Sequence, residues 1–315
     1  MKDRGFIHCF GKALCIAVLL PVLFSCGLLI NRKSPVYFAG PAVVGDYKPL
    51  GQVKEVRYPD SHPGPSLRRM IVYLPAEYDA AGEKRYPVVY LLHGARGYET
   101  SWIRKGDVYH LTDSLISHRL AEPYILVMPN VNQYDDDGDF DHSRYKDALE
   151  SVLEVDGSVE SGFIHDVVDC IDRNFRTLPD KAHRAIAGLS IGGLKSIYIS
   201  ANFPEAFDYV GAFSPMTWTF FKSSPERDFY DGLDDKLAVQ FGDNPPKGYY
   251  LMSGKADYIH FAAEDFHKKL DKKGYPHQYF LSEGSHEWYN WKDYYVLMMQ
   301  RVFKDGSIDK NDTRL

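Results

Sequence analysis

The segment Gly188-Leu189-Ser190-Ile191-Gly192-Gly193 constrains this chain more than any other. It is a G-x-S-x-G pattern between an apolar run, Arg184-Ala185-Ile186-Ala187, that reads as a strand, and Leu194-Lys195-Ser196-Ile197-Tyr198-Ile199, which reads as a helix. A strand turning sharply into a helix leaves no room for side chains where its two arms cross. Glycines therefore flank the turn, and the middle serine is held at strained backbone angles with its hydroxyl presented. The helix N-terminus directs backbone N–H groups at any negative charge developing beside that hydroxyl. By itself the pattern fits two accounts, a presented nucleophile and a plain strand-to-helix turn. The rest of the chain decides between them.

Either account needs a sheet whose strands are buried on both faces. Candidate strands are Val53–Tyr58, Arg69–Leu74, Pro87–Leu92, Tyr124–Met128, Arg184–Leu189, Tyr209–Phe213, Tyr249–Met252 and Gln278–Leu281. Several, such as Val88-Val89-Tyr90-Leu91-Leu92, are short continuous apolar runs. Helical patterns fall at about 107–119, 162–176, 191–202, 258–273 and 288–304. Early strands without helices between them, then regular alternation, predict an α/β fold: a mostly parallel, doubly wound sheet of about eight strands flanked by helices, with an antiparallel beginning. Residues 53–305 form this domain, after a linker over 27–52 and before a polar tail over 306–315. Two stretches, at about 131–160 and 216–247, read as long irregular loops, where substrate walls and lids are built on such sheets. The first holds the acidic run Asp135–Asp141. Aligning Gly138 with the glycine of an EF-hand loop puts Gln133 and Arg144 at the first and twelfth ligand positions, so the run reads as a solvated loop. Neither a metal site nor a cofactor is expected.

The N-terminus reads as a targeting segment. Lys2, Arg4 and Lys12 precede an apolar run from Ala13 to Phe24, followed by Ser25-Cys26-Gly27. Leu23-Phe24-Ser25-Cys26 resembles a bacterial lipobox, which makes residues 1–26 a signal peptide, Cys26 the lipidation site and the product a membrane-tethered extracytoplasmic lipoprotein. An uncleaved anchor is the competing reading, because Gly27-Leu28-Leu29-Ile30 extends the apolar run to about 18 residues. Loss of residues 1–26 removes three cations and one anion, taking the formal charge from −6 to −8. With no basic stripe, nucleic acid is not an expected partner. Outside the targeting segment the one cysteine is Cys170, on an apolar helical face with Phe163, Ile164, Val167, Val168 and Ile171, where it reads as a small core-edge side chain.

A serine nucleophile needs a histidine base, a carboxylate to orient it and donors for the oxyanion. On sheets of the α/β-hydrolase type these partners follow in the order serine, acid, histidine, each on a loop after a later strand. Tyr249–Met252 is followed by Ser253-Gly254-Lys255-Ala256-Asp257, and Gln278–Leu281 by Ser282-Glu283-Gly284-Ser285-His286. Asp257 lies 67 residues after Ser190, and His286 another 29 beyond, room for one or two β–α units each. Among rival histidines, His260 and His267 fall in a helical pattern, explained by exposure or capping, and His277 starts a strand at the wrong end of the sheet. Asp234 and Asp235 precede the strand, and Asp265 lies inside the helix. The oxyanion donors are expected to be the backbone N–H of Ile191 and, from the loop Leu91-Leu92-His93-Gly94-Ala95-Arg96-Gly97, that of Ala95. His93 reads as a structural hydrogen-bonder under this loop.

Four segments together, Leu91-Leu92-His93-Gly94, Ala187–Gly193, Asn202-Phe203-Pro204-Glu205-Ala206-Phe207 and Gly284-Ser285-His286-Glu287-Trp288, resemble the esterase D-type "putative esterase" family. That group includes feruloyl esterases, acetyl-xylan-type esterases, S-formylglutathione hydrolase, enterochelin esterases and mycolyltransferases. The resemblance spans roughly residues 65–305 and implies an α/β-hydrolase fold with Ser190, Asp257 and His286 at the triad positions. The lipobox argues against the formylglutathione member. The expected function is serine-dependent hydrolysis of carboxylic esters, with a small-molecule or saccharide ester as partner and feruloyl or acetyl esters of plant-cell-wall sugars foremost. Aliphatic or siderophore esters are the alternative, and an acyltransferase would use the same triad. Trp218, Trp288 and Trp291 could wall the acyl pocket; equally, Trp288 and Trp291 could pack the last helix on the core.

Overall fold

The apolar runs pair into one sheet in the computed structural model, which describes residues 37–39, 47–59, 61, 67–79, 82–132, 158–217 and 232–304. Cys26, Trp218, the acidic run at 135–141 and the tail at 306–315 lie outside the described residues. The chain divides into two units, Met1–Pro35 and Val36–Leu315, and no residue of the first is among the described residues. Among the described residues no helix is long and apolar enough to cross a membrane.

Among the described residues nine strands make up the sheet: β1 (Tyr37–Ala39), β2 (Gln52–Tyr58), β3 (Arg68–Leu74), β4 (Val88–Leu92), β5 (Ile125–Pro129), β6 (Arg184–Leu189), β7 (Tyr209–Phe213), β8 (Gly248–Gly254) and β9 (Gln278–Ser282). Their spatial order is β1-β2-β3-β5-β4-β6-β7-β8-β9. The pairs from β1 to β5 are antiparallel, and every pair from β5 through β9 is parallel. Strand β4 is buried at every position, and the period-two alternation of its side chains feeds two cores. Val88, Tyr90 and Leu92 join the core on one face; Val89 and Leu91 join the other.

Helices cover both faces. α1 (Ser101–Arg104), α2 (Val108–Ser117) and α8 (Trp288–Met299) lie on the face of Val89, to which Trp102, Tyr109, Tyr295 and Met298 contribute. The other face carries α3 (Ser158–Phe163), a π-helical turn (Ile164–Val168), α4 (Asp169–Asn174), α5 (Ile191–Asn202), α6 (Leu233–Asp243) and α7 (His260–Lys273). Cys170 is a free, buried thiol, pushed up to about 11 by that burial, as befits a core-edge side chain.

The structure differs from the sequence reading in three places. The stretch 27–52 is not a plain linker. It supplies β1, and Tyr47 Oη and the Leu50 amide both donate to Asp113 on α2, at 3.1 and 2.8 Å, fastening the chain to the domain. The irregular stretch at 216–247 contains α6, whose Leu233, Leu237 and Phe241 share one buried face at helical spacing. The helix expected at 107–119 is present as α2, but a short one that the sequence reading lacks, α1, precedes it, with Asp107 at φ 51° between them.

Candidate active site

The turn from β6 into α5 places Ser190 at φ 54°, ψ −115°, a conformation few side-chain-bearing residues adopt. Neighbours hold it there. Its amide donates to the Phe213 carbonyl at the end of β7, 2.8 Å away. The two arms of the turn cross so closely that a Cβ on Gly188 would stand 2.5 Å from the Gly192 carbonyl oxygen, and one on Gly192 2.5 Å from that of His93. These contacts are the physical reason for both glycines. Strained serine and close crossing are the geometry that presenting a nucleophile requires.

Asp257 follows β8 and His286 follows β9, so adjacent parallel strands bring them to the same end of the sheet as Ser190. His286 Nδ1 lies 3.1 Å from Asp257 Oδ1 and 3.0 Å from Oδ2. A carboxylate accepts, so Nδ1 carries the proton and Nε2 keeps its lone pair. Asp257 is 1 % exposed. Burial works to raise its pKa, but hydrogen bonds from His286, Ser214 and the Ile259 amide outweigh it and hold the carboxyl below the usual carboxylate range. Among the described residues, both side-chain hydrogen bonds of His286 go to Asp257, and none joins it to Ser190. Such a contact commonly tightens only when substrate is bound.

Ser214, which sequence reasoning missed, completes this corner. It follows β7, at φ 45°, with its amide on the Met252 carbonyl at 2.7 Å. Its hydroxyl accepts from Trp291 Nε1 at 3.2 Å and donates to Asp257. Its signal was available, as a polar residue directly after a buried strand on the edge that carries Ser190, Asp257 and His286. Trp291, buried, meets the His286 ring edge-on at 4.9 Å, so it braces the imidazole from within. Half-buried Trp288 packs between Trp291 and Trp102, with ring centroids 5.2 and 5.3 Å away. Both tryptophans thus pack α8 onto the core. Among the described residues, Tyr258 is an aromatic that remains open beside this imidazole, 68 % exposed, with its ring 4.8 Å from that of His286.

The loop after β4 lies against Ser190. A Cβ on Gly94 would stand 3.3 Å from the Ser190 Cβ, so glycine lets the loop backbone close in. The turn closes through the Gly97 amide on the Gly94 carbonyl at 3.1 Å, with Arg96 at φ 55°. Among the described residues, the amides of Ala95 and Ile191 donate to no protein acceptor. That is the state required of oxyanion donors. Beneath the loop, His93 Nδ1 donates to the Gly94 carbonyl at 2.8 Å and Nε2 accepts from the Val131 amide at 3.0 Å. Burial lowers its pKa to about 4, so it is neutral and structural. Val131 is held in turn by Lys195 Nζ, 2.7 Å from its carbonyl and 2.9 Å from buried Glu160. Sequence reasoning missed this ion pair, because neither partner stands in a recognisable motif.

The family described as "Putative esterase" matches residues 65–299. A protein of Xylanibacter ruminicola named endo-1,4-beta-xylanase/feruloyl esterase is 29% identical over 265 residues, covering 81% of this chain and 32% of its own length. Endo-1,4-beta-xylanase Y of Acetivibrio thermocellus is 24% identical over 217 residues, 68% of this chain and 19% of its own. The chain thus spans a third or less of these relatives. Among solved structures, a ferulic acid esterase of the fungus Anaeromyces mucronatus superposes with a TM-score of 0.66 at 22% identity, covering 86% of this chain and 98% of that one. It shows the shared fold.

Proposed function

The chain belongs to the putative esterase family of carboxylic ester hydrolases, and from that premise we propose that it cleaves acyl esters of plant-cell-wall sugars, of the feruloyl type, through an acyl-enzyme on Ser190. The observation that carries this reading is the strained Ser190 set at one sheet end with a histidine whose Nδ1 is fixed on a buried carboxylate.

Ser190 Oγ attacks the ester carbonyl carbon while His286 Nε2 takes its proton. The carbonyl oxygen becomes an oxyanion between the Ile191 and Ala95 amides. The ester C–O bond breaks, and the imidazolium returns the proton to the leaving alcohol. Water, deprotonated by the same nitrogen, then attacks the acyl carbon and frees Ser190. Asp257 keeps the imidazole in the useful tautomer and stabilises its charged form. The feruloyl preference is supported by the named relative and by Tyr258, whose open ring offers an aromatic acyl group a face beside the base.

Ser190→Ala should lower hydrolysis of methyl ferulate by at least about 10⁴-fold with an unchanged circular dichroism spectrum. A variant that kept its activity would remove Ser190 from the chemistry. Comparing kcat/KM for methyl ferulate with that for methyl acetate and methyl butyrate, which share its leaving group, tests the substrate: a higher value for the short aliphatic esters would overturn the feruloyl reading alone.

A further inference from the structure

Away from the ester site, at the start of β9, three side chains converge: His267 and Asp271 from α7, and His277 from the turn that follows it. We propose that they bind a divalent transition-metal cation, with Zn²⁺ the expected occupant.

His277 is the anchor. Its side chain is 3 % exposed, and Nδ1 donates to the Tyr275 carbonyl at 2.8 Å, which leaves Nε2 with a bare lone pair aimed at the cluster. His267 Nδ1 lies 2.7 Å from that lone pair, and Asp271 Oδ1 3.8 Å from it. The other nitrogen of His267, Nε2, lies 3.4 Å from Asp271 Oδ2. No neutral arrangement satisfies all three groups. With its proton on Nδ1, His267 bonds His277 but turns the Nε2 lone pair on a carboxylate. With the proton on Nε2 it serves Asp271 but sets two imidazole lone pairs against each other. A cation removes the second conflict, taking both imidazole lone pairs and Asp271 Oδ1 while Nε2–H of His267 still faces the carboxylate.

The geometry is close to what a metal requires. Bonds of about 2.1 Å at tetrahedral angles place ligand atoms about 3.4 Å apart, between the two separations seen from His277. The supports are in place as well. His267 and Asp271 stand one helical turn apart on the same face. The His267 ring stacks on Tyr279 at 4.5 Å and 23°. Gly274, at φ 71°, ends α7, and the Tyr275 amide returns to the Leu270 carbonyl, so the chain doubles back and delivers His277 over the helix. Asp271 is largely exposed, leaving an open position for water. Because this cluster lies at the N-terminal end of the parallel strands, opposite Ser190, the cation would clip α7 to β9 and take no part in ester cleavage.

The test uses the full chain without an affinity tag, dialysed against chelator. Co²⁺ should give visible d–d absorption that saturates near one equivalent and is displaced by Zn²⁺, and Zn²⁺ should raise the thermal midpoint. Asp271→Asn, at the surface, should weaken binding by at least about tenfold while the protein stays folded. The double variant His267→Gln, His277→Gln should lose the spectrum. Hydrolysis of methyl ferulate by the wild type should be the same with and without metal. Equal Co²⁺ binding by the wild type and Asp271→Asn would overturn the proposal. So would a thermal midpoint that rises on mild acidification but not with Zn²⁺, since the shared cation would then be a proton.

Discussion

Ser214 shows what single side chains contribute to this site. Its hydroxyl bridges Trp291 and Asp257, so it fixes both the orientation of the carboxylate that holds His286 and the indole packed under that histidine. Ser214→Ala removes a hydrogen bond to a charged group, an interaction of about 1.5–3 kcal/mol. Felt in the transition state, that corresponds to roughly tenfold or more in kcat. KM for methyl ferulate should stay within about twofold, because Ser214 is buried beneath the site. A variant with raised KM and unchanged kcat would show that Ser214 shapes the pocket instead. At this scale the sequence was informative where motifs speak, at Ser190 and at the glycines it needs. It was silent on Ser214, Tyr258 and the Lys195–Glu160 pair, whose roles depend on which neighbours the fold brings beside them.

Elements were legible in proportion to how apolar they are. The buried strands β4 to β8 could be read from their runs of Val, Leu, Ile and Tyr, with ends shifted by a residue or two. Helix α6 was not, since charged residues dilute the periodicity of Leu233, Leu237 and Phe241. His267 was read as exposed or capping and is instead a neighbour of buried His277, a contact no helical periodicity contains. One element is exceptional in its position. β9 is the last strand of the sheet, paired on one side to β8, with Leu281 41 % exposed, yet the loop that follows it holds His286. Edge elements open more easily than central ones. On heating, ester hydrolysis should therefore fail at a lower temperature than the far-ultraviolet dichroism of the sheet. Coincident midpoints would show that β9 unfolds only with the whole domain.

The pH dependence of stability belongs to the whole molecule, because it compares the folded with the unfolded chain. His93 is held near 4 in the fold and returns to about 6.5 when unfolded. Between those values the unfolded chain binds a proton that the folded chain refuses, so stability falls as pH drops from about 6.5 toward 4, by on the order of 3 kcal/mol in all. Asp257, held below the usual carboxylate range, adds stability above its unfolded value that is lost as pH falls through its folded value. Urea midpoints at pH 7 and 4.5 should differ accordingly, and His93→Gln should flatten the difference; an unchanged slope would place its origin elsewhere.

The order of the sheet has a kinetic consequence. Ser190, Ser214, Asp257 and His286 follow β6, β7, β8 and β9, four strands that are consecutive in the chain and side by side in space. Parallel pairs of this kind close long loops before their contacts repay the lost entropy, which makes them slow to form. The site comes into being only when the last strand has docked in register on the others. Regained ester hydrolysis therefore times the final step of folding, where tryptophan fluorescence and dichroism time the earlier ones.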